Sequence, residues 1–521
     1  MRSQKPVALA TAFSGRKGHF LCLLAGLIAP LGFAPFNLWP VLLVSGIMLL
    51  FSLEGISTKT AAFRGWLYGV GFFGTGVSWV YVSIHQHGSA PPWLAGSLTL
   101  IFAAGLALFF ALHIAAYQYI ALKSAHKHQW MVLLSFPAVW VIAEWFRSWF
   151  LTGFPWIYLG YGPIDTWLAG WAPVTGIYGL SFFMALATSA IYLQLKRPGK
   201  TLRSVALICL ILPLLLGWGL NQKNWTSPKT NGNLSIAIIQ GNTPQNLKWK
   251  PSQRAKILQS YVTPSLNLLD KDLIIWPETA IPQLFDSAHP VLRPLENLLK
   301  ESNTGLITGV PSRQRTNDRT RYFNSVVGLA TASGIYHKQR LVPFGEYVPL
   351  ENTLRGLIAF FDLPMSSFSL GPEHQSPITL ENGQSLSPFI CYEIVYPDLV
   401  SASARYADYI LTVSNDSWFG DSFAPHQHLQ MARMRAIENG RYLLRATNNG
   451  VSAIVAPDGQ VISQTKQFVA TVLSSEVRAM EGMTPFSRFG SMPILLVCVI
   501  LLAGLIFQRR MTTRAADQTS T

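Results

Sequence analysis

Two hydrophobic patterns divide the chain. Over residues 19–221, and again over 491–508, apolar residues run in long blocks separated by short loops. Over residues 222–490 the apolar runs are short and bounded by turn residues. The long blocks place candidate spans at 19–35, 38–54, 62–83, 93–121, 130–150, 168–194, 204–220 and 491–508. Crossing a bilayer takes roughly 17–25 apolar residues per helix. The pattern therefore predicts a multi-span α-helical membrane domain of about eight transmembrane helices, with a separate domain inserted before the last. The first two spans are joined only by PLGFAPFNLWP, so they also read as one interrupted segment. The expected division is a membrane domain at 1–221, a polar domain at 222–490, and a final span with its tail at 491–521.

Inside the polar domain, LSIAIIQG (234–241), DLIIWPE (272–278), TGLITGV (304–310), NSVVGLA (324–330), SPFICYE (387–393), YILTVSND (409–416) and VSAIVAP (451–457) read as strands. SQRAKILQSYVTPSLNLL, HPVLRPLENLLKES and HQHLQMARMRAIENGRYLLRA read as helices. Alternation of the two predicts α/β layering.

Composition supports the division. Half of the 521 residues are hydrophobic and only 12% are charged, against roughly 25% in ordinary soluble domains. A net charge of +15 would fit a nucleic-acid binder, but its placement excludes that class. Arg16, Lys17, Lys59, Arg64, Lys123, Lys127, Lys196, Arg197, Lys200, Arg203, Arg509 and Arg510 all fall in alternate short segments. Basic loops mark the cytoplasmic side. Both termini are thus expected in the cytoplasm and residues 222–490 on the outer face, which in a bacterium is the periplasm. The N-terminus has no small-residue cleavage site, so its span is expected to be retained. Glu144 and Arg147, three residues apart in VIAEWFRSWF, are expected to share a helix face, either as an intrahelical pair or as the polar wall of an entrance. Trp79, Tyr81, Trp93, Trp156, Tyr158 and Tyr161 read as interface anchors.

The candidate chemistry sits at strand ends. DLIIWPE is apolar as far as Trp276, then gives Pro277 and Glu278, and proline stops a ladder and re-aims the next side chain. SPFICYE delivers Cys391 in the same manner, and GIYHKQRLVPFGEYVP offers Lys338 and Glu346 between them. A thiolate is the nucleophile, a carboxylate can take its proton, and an ammonium favours both thiolate and oxyanion. The backbone N–H of Tyr392 is a candidate second oxyanion donor. The polar domain holds no other cysteine, which excludes a disulfide within it. His426 and His428 lie close in PHQHLQ but show no partner set, and no metal or cofactor is expected. LIAFFDLPMSSFSLGPE (357–373) reads either as a loop packed on the core or as a lid dipping into lipid.

In this order, WPETA, HKQRLVPFGEYVP and CYE resemble the Glu–Lys–Cys signature of the nitrilase, or carbon–nitrogen hydrolase, superfamily. IQGNTPQNLKW, SNDSWFG, RATNNGVSAIVAPDG and the flanking spans narrow the resemblance to the bacterial apolipoprotein N-acyltransferase family. That resemblance implies an α/β nitrilase-like α-β-β-α sandwich. It implies Glu278 as general base, Lys338 as oxyanion stabiliser and Cys391 as nucleophile, with Glu346, Tyr392, Glu393 and Trp249 as supporting residues. The implied partners are a glycerophospholipid acyl donor, a diacylglyceryl-lipoprotein acceptor and the bilayer of the inner membrane. A membrane-anchored amidase using water, and an inactive scaffold, remain as rival readings.

Overall fold

Short apolar strands, the central ones buried on both faces, build the polar domain into two sheets. The computed structural model describes residues 15–121, 129–315, 319–343, 345–347 and 368–518. Strands β1 (Thr226–Gln240), β2 (Leu273–Ile275), β3 (Gly305–Arg315), β4 (Thr320–Ala330), β6 (Ile335–His337) and β13 (Thr471–Gly482) form one sheet, in the order β13-β1-β2-β3-β4-β6. Strands β5 (Ala332–Ser333), β7 (Ile378–Leu380), β8 (Ser385–Ile390), β9 (Tyr409–Ser414), β10 (Tyr442–Thr447), β11 (Ala453–Val455) and β12 (Val461–Gln464) form the other, in the order β12-β11-β10-β9-β8-β7-β5.

Alternate residues of each strand meet between the sheets. Leu234, Ile236 and Ile238 of β1 share a core with Leu411 and Val413 of β9 and with Leu444 of β10. On the outer face of the first sheet, Ile274 and Leu306 pack against Ile257 and Tyr261 of helix Arg254–Ser265 and Leu292 and Leu299 of helix Phe285–Glu301. Helices Pro397–Ala404 and Ala424–Asn439 lie against β8 and β10 of the second sheet. The layering is thus the α-β-β-α sandwich implied above.

One predicted helix is cut short. HQHLQMARMRAIENGRYLLRA was read as a single helix, but it ends at Asn439 and continues as β10. Gly440 takes φ +60 and the Arg441 N–H reaches back to the Ala436 carbonyl, a left-handed cap that terminates the helix.

The chain groups into two units. Unit one is Met1–Ser78, Gly96–Lys223 and Ser491–Thr521, and unit two is Trp79–Ala95 with Asn224–Gly490. Among the described residues, four helices are long and apolar enough to cross a membrane: Pro92–Ile120, Gln129–Thr152, Trp167–Lys196 and Lys200–Asn221. The segments Thr58–Gly76 and Val80–His87 add a fifth if they count as one span bent by 61°. The remaining expected spans correspond to shorter helices, Gly15–Ile28, Pro40–Ser52 and Met492–Gln508.

Several anchors proved to be core. Trp156, Tyr158 and Tyr161 are buried in the helical unit. Trp79 belongs to the sandwich unit, where its ring meets Phe419 edge-on at 4.8 Å. No ion pair joins Glu144 to Arg147. Glu144 accepts from Trp140 Nε1 (3.0 Å) and the Leu159 N–H (2.8 Å), while Arg147 donates to the carbonyls of Phe154 (2.8 Å) and Trp156 (2.9 Å). Both fix the irregular backbone that follows their helix.

Candidate active site

Glu278, Lys338 and Cys391 lie 113 residues apart along the chain at the extremes, yet the sandwich brings them to one end. Each follows a strand. Trp276 still pairs with β3 through its N–H to the Ile307 carbonyl, and Pro277 then turns Glu278 out of the ladder. Lys338 follows β6, and its N–H still reaches the Asn324 carbonyl at 2.9 Å. Cys391 follows β8 and adopts φ +54, a left-handed conformation that costs free energy for a residue with a Cβ. That sharp turn presents the sulfur at the sheet end.

The charges interlock. Lys338 Nζ lies 2.8 and 2.7 Å from the two Glu346 oxygens and 3.9 Å from Glu278 Oε1. Asn324 Nδ2 donates to Glu278 (2.7 Å) and to Glu346 (3.0 Å), holding both carboxylates. The second Glu278 oxygen accepts from the Asn415 N–H at 2.8 Å. Burial, reinforced by the Glu346 charge, raises the Glu278 carboxyl above the usual range, against the pull of Lys338. Burial opposes the Lys338 charge, but Glu346 and Glu278 hold its ammonium above the usual lysine range. Burial and then the Glu278 charge push the Cys391 thiol up to about 12, with Lys338 pulling the other way. At neutral pH the arrangement is a protonated thiol beside a carboxylate with heightened proton affinity. Such a pair works by proton transfer during attack, not by a standing thiolate.

The supporting residues divide. Glu346 belongs to the charge cluster. Glu393 is fully buried and ties two segments together: one oxygen accepts from the Ile390 N–H (2.7 Å), the other from the N–H groups of Gln339 (2.5 Å) and Arg340 (3.1 Å). Tyr336 donates to the same carboxylate at 3.0 Å. Glu393 thereby locks the loop after Lys338 to the turn carrying Cys391. The Tyr392 ring is buried edge-on to Tyr396. Trp249 is half-buried at the end of helix Gln245–Lys248, and its buried indole N–H has no hydrogen-bond partner among the described residues. Of the loop 357–373, residues 357–367 lie outside the described residues.

Sequence reasoning missed three groups. Lys248 is buried and donates to the Glu278 backbone carbonyl at 3.1 Å. Burial draws its pKa down to about 8, against the charges of Glu278 and Cys391. Asn324 was read only as a strand residue. His428, considered in the sequence only as a metal ligand, is a hydrogen-bonding residue. Its Nε2 donates to the Cys391 carbonyl (3.1 Å), and its Nδ1 accepts from Arg445 Nη2 (3.0 Å). Arg445 also holds Asp416 at 2.7 Å. Burial works to raise Asp416, yet Arg445 keeps it well below the carboxylate range. His428 is lowered by burial and by Arg445, consistent with a neutral ring protonated on Nε2. The motifs SNDSWFG and RATNNG marked this neighbourhood without revealing its pairings.

Segment Trp79–Ala95 also reaches this neighbourhood. Ser83 Oγ donates to the Trp418 carbonyl at 2.7 Å, and His87 meets the Trp418 ring at 5.4 Å.

Two stacked sheets with a carboxylate, a lysine and a cysteine at one end define a carbon–nitrogen hydrolase domain, and residues 235–483 match the family model described as "Carbon-nitrogen hydrolase". Residues 25–190 match a second model, "Apolipoprotein N-acyltransferase N-terminal domain". An apolipoprotein N-acyltransferase of Pseudomonas aeruginosa is 45% identical over 500 residues, covering 95% of this chain and 97% of the relative. One of Coxiella burnetii is 40% identical over 483 residues, covering 92% and 98%. The chain belongs to the apolipoprotein N-acyltransferase family and is an acyltransferase. Among solved structures, an amidase from Nesterenkonia sp. aligns at 17% identity and TM-score 0.34, covering 51% of this chain and 97% of its own.

Proposed function

We propose that this protein moves an acyl chain from a glycerophospholipid, through a thioester on Cys391, to the α-amine of the diacylglyceryl-cysteine that begins an apolipoprotein. The observation that carries this reading is a protonated thiol on a strained turn beside a carboxylate with raised proton affinity and a fixed ammonium. Glu278 takes the thiol proton as sulfur attacks the ester carbonyl. Lys338 and the Tyr392 N–H receive the oxyanion. As the C–O bond breaks, the Glu278 proton passes to the departing lysophospholipid. In the second half the neutral amine forms the amide bond, Glu278 accepts its proton, and the C–S bond breaks to restore the thiol. Glu346 aligns Lys338, Glu393 braces the two loops, and Trp249 lines the acyl path.

Residues 222–490 form the catalytic domain on this reading, facing the periplasm of a bacterial inner membrane, with 1–221 and 491–521 as the membrane part. The alternate basic loops support that orientation.

Mass spectrometry of the intact protein tests the mechanism. Phospholipid alone should leave a stable acyl mass on Cys391, and a diacylated lipopeptide with a free α-amine should discharge it. An N-acetylated lipopeptide should leave it in place. Cys391→Ala should never load. Rapid release of free fatty acid without any amine would sink the transferase reading in favour of a hydrolase.

A further inference from the structure

The sandwich unit holds a concavity lined at the start of β8 and β9, the strand ends away from Cys391. An open cavity of about 860 Å³ lies where β1 meets β13 and where β8 and β9 begin. Ser385 and Asp408 line it, immediately at the starts of β8 and β9, whereas Ile390 and Ser414 end those strands beside Cys391. Six residues per strand at about 3.3 Å each put roughly 20 Å between the two sites. The cavity is therefore separate from the catalytic end.

Its lining is cationic. Lys229, Arg405, Arg441 and Arg488 line it, against only Asp408 and Glu481. Asp408 is already engaged, by Lys229 at 2.5 Å and by the Ser385 N–H at 2.9 Å. The three arginines make no ion pair among the described residues. Arg441 is 3% exposed, and its guanidinium donates to the carbonyls of Ala407 (2.8 Å), Gly440 (3.3 Å) and Gly482 (2.7 Å). A guanidinium has five N–H donors, so two are left beyond these three carbonyls. An arginine held rigid by backbone carbonyls, with spare donors, is preorganised for an oxyanion.

The rim is apolar and aromatic. Tyr406 is 69% exposed, Phe489 57% and Met483 45%. The Arg405 guanidinium stacks on Tyr406 (5.3 Å) and that of Arg488 on Phe489 (5.4 Å). Stacked cations beside exposed aromatic rings suit the headgroup level of a bilayer, where one side of the ligand is wet and the other is hydrocarbon. Trp225, also in the lining, follows the end of the span candidate at Asn221 by four residues of chain.

We infer that this cavity binds the phosphate of an anionic glycerophospholipid, at a site separate from the catalytic one. The inference rests on the chain being a membrane protein, and not on the thioester mechanism. Phosphate diesters are the ligand chemistry that forked guanidiniums match, and lipid is the source that the exposed rim selects over free phosphate.

The test uses the full chain in non-ionic detergent, titrated with phosphatidylglycerol or phosphatidylcholine and read by native mass spectrometry. The wild type should retain phosphatidylglycerol at least tenfold more tightly than phosphatidylcholine. Arg405→Gln with Arg488→Gln, both at the surface, should reduce that preference to within twofold while the thermal midpoint holds. Arg441→Gln should do the same, and the surface double variant keeps the test valid if the buried one misfolds. Equal retention of the two lipids by the wild type would overturn the inference, as would undiminished preference in the double variant. Displacement of the lipid by millimolar inorganic phosphate would make this a free-anion site instead. Acyl loading of Cys391, measured on the same samples, should be unchanged in the double variant. Loss of loading there would overturn the separation of the two sites. Failure of the wild type to load at all would count against the proposed mechanism and leave the lipid result standing.

Discussion

The two units bury charge for different ends. In the helical unit, Arg147 binds the main-chain carbonyls of Phe154 and Trp156, and Glu144 takes the Leu159 N–H along with the Trp140 indole. The stretch they hold carries left-handed residues at Leu151, Thr152, Gly153 and Ile157, so it has no ladder of its own to satisfy its backbone. In the sandwich unit, Glu278, Lys338 and Glu346 bind mainly side chains, and the Glu346 charge raises the proton affinity of both Glu278 and Lys338. Backbone dipoles are fixed partners that stabilise a shape. Titratable partners are tunable and suit a reaction that moves protons.

That contrast can be broken by substitution, most severely at Lys338. Lys338→Ala should lower the rate of Cys391 loading by about 10²–10³-fold, the loss expected for one oxyanion donor. It should also lower stability by about 3–5 kcal/mol, because Glu346 is left buried and unpaired. Lys338→Arg should fail as well, since the planar fork cannot place a compact charge there. Loading rates and a thermal scan measure both effects.

Arg147→Met is the converse and comes next in size. Two buried carbonyls lose their donor, at about 1–3 kcal/mol each. The thermal midpoint should fall, while loading per folded molecule stays within about twofold. A comparable loss of rate would erase the distinction between the units.

Glu346→Gln separates charge from contact. On the proposed mechanism an ionised Glu278 is the base, so loading should rise with pH through the Glu278 pKa and be lost below it. Glu346 contributes to the raised Glu278 pKa by its negative charge. Removing that charge should move the acid limb of the pH–rate profile to lower pH. At neutral pH, loading should still fall about 10–100-fold because Lys338 loses a charged hydrogen-bond partner. An acid limb that stays in place would mean that Glu346 does not tune the base.

The smallest effect belongs to His428. His428→Gln keeps a donor near the Cys391 carbonyl but loses the ring that Arg445 grips. Loading should fall by no more than about tenfold, the weight of one neutral hydrogen bond. A larger loss would promote His428 from bracing the turn to a direct part in the chemistry.

The sequence by itself determined a good deal. Short apolar runs bounded by turn residues located the strands that carry Glu278 and Cys391, because a strand covered on both faces reads as a near-continuous apolar run. The spacing of apolar blocks separated helical from layered regions, because span length is set by bilayer thickness. Short helices such as Pro40–Ser52 escaped that logic, since composition alone does not say where proline-rich joints end a helix. The helix-to-strand switch at Gly440 was lost for a similar reason: the apolar run continued, and only the backbone reversed. What tertiary structure decided was every pairing across distance. Asn415 donates to a carboxylate 137 residues away, Asn324 bridges two acids, and Lys248 reaches the carbonyl of Glu278 from a separate helix. His428 binds the carbonyl of Cys391, 37 residues earlier. No local periodicity encodes such contacts, because they depend on strand order and register across two sheets. The left-handed turn at Cys391 is of the same kind, held by the Glu393 carboxylate that the fold buries beneath it.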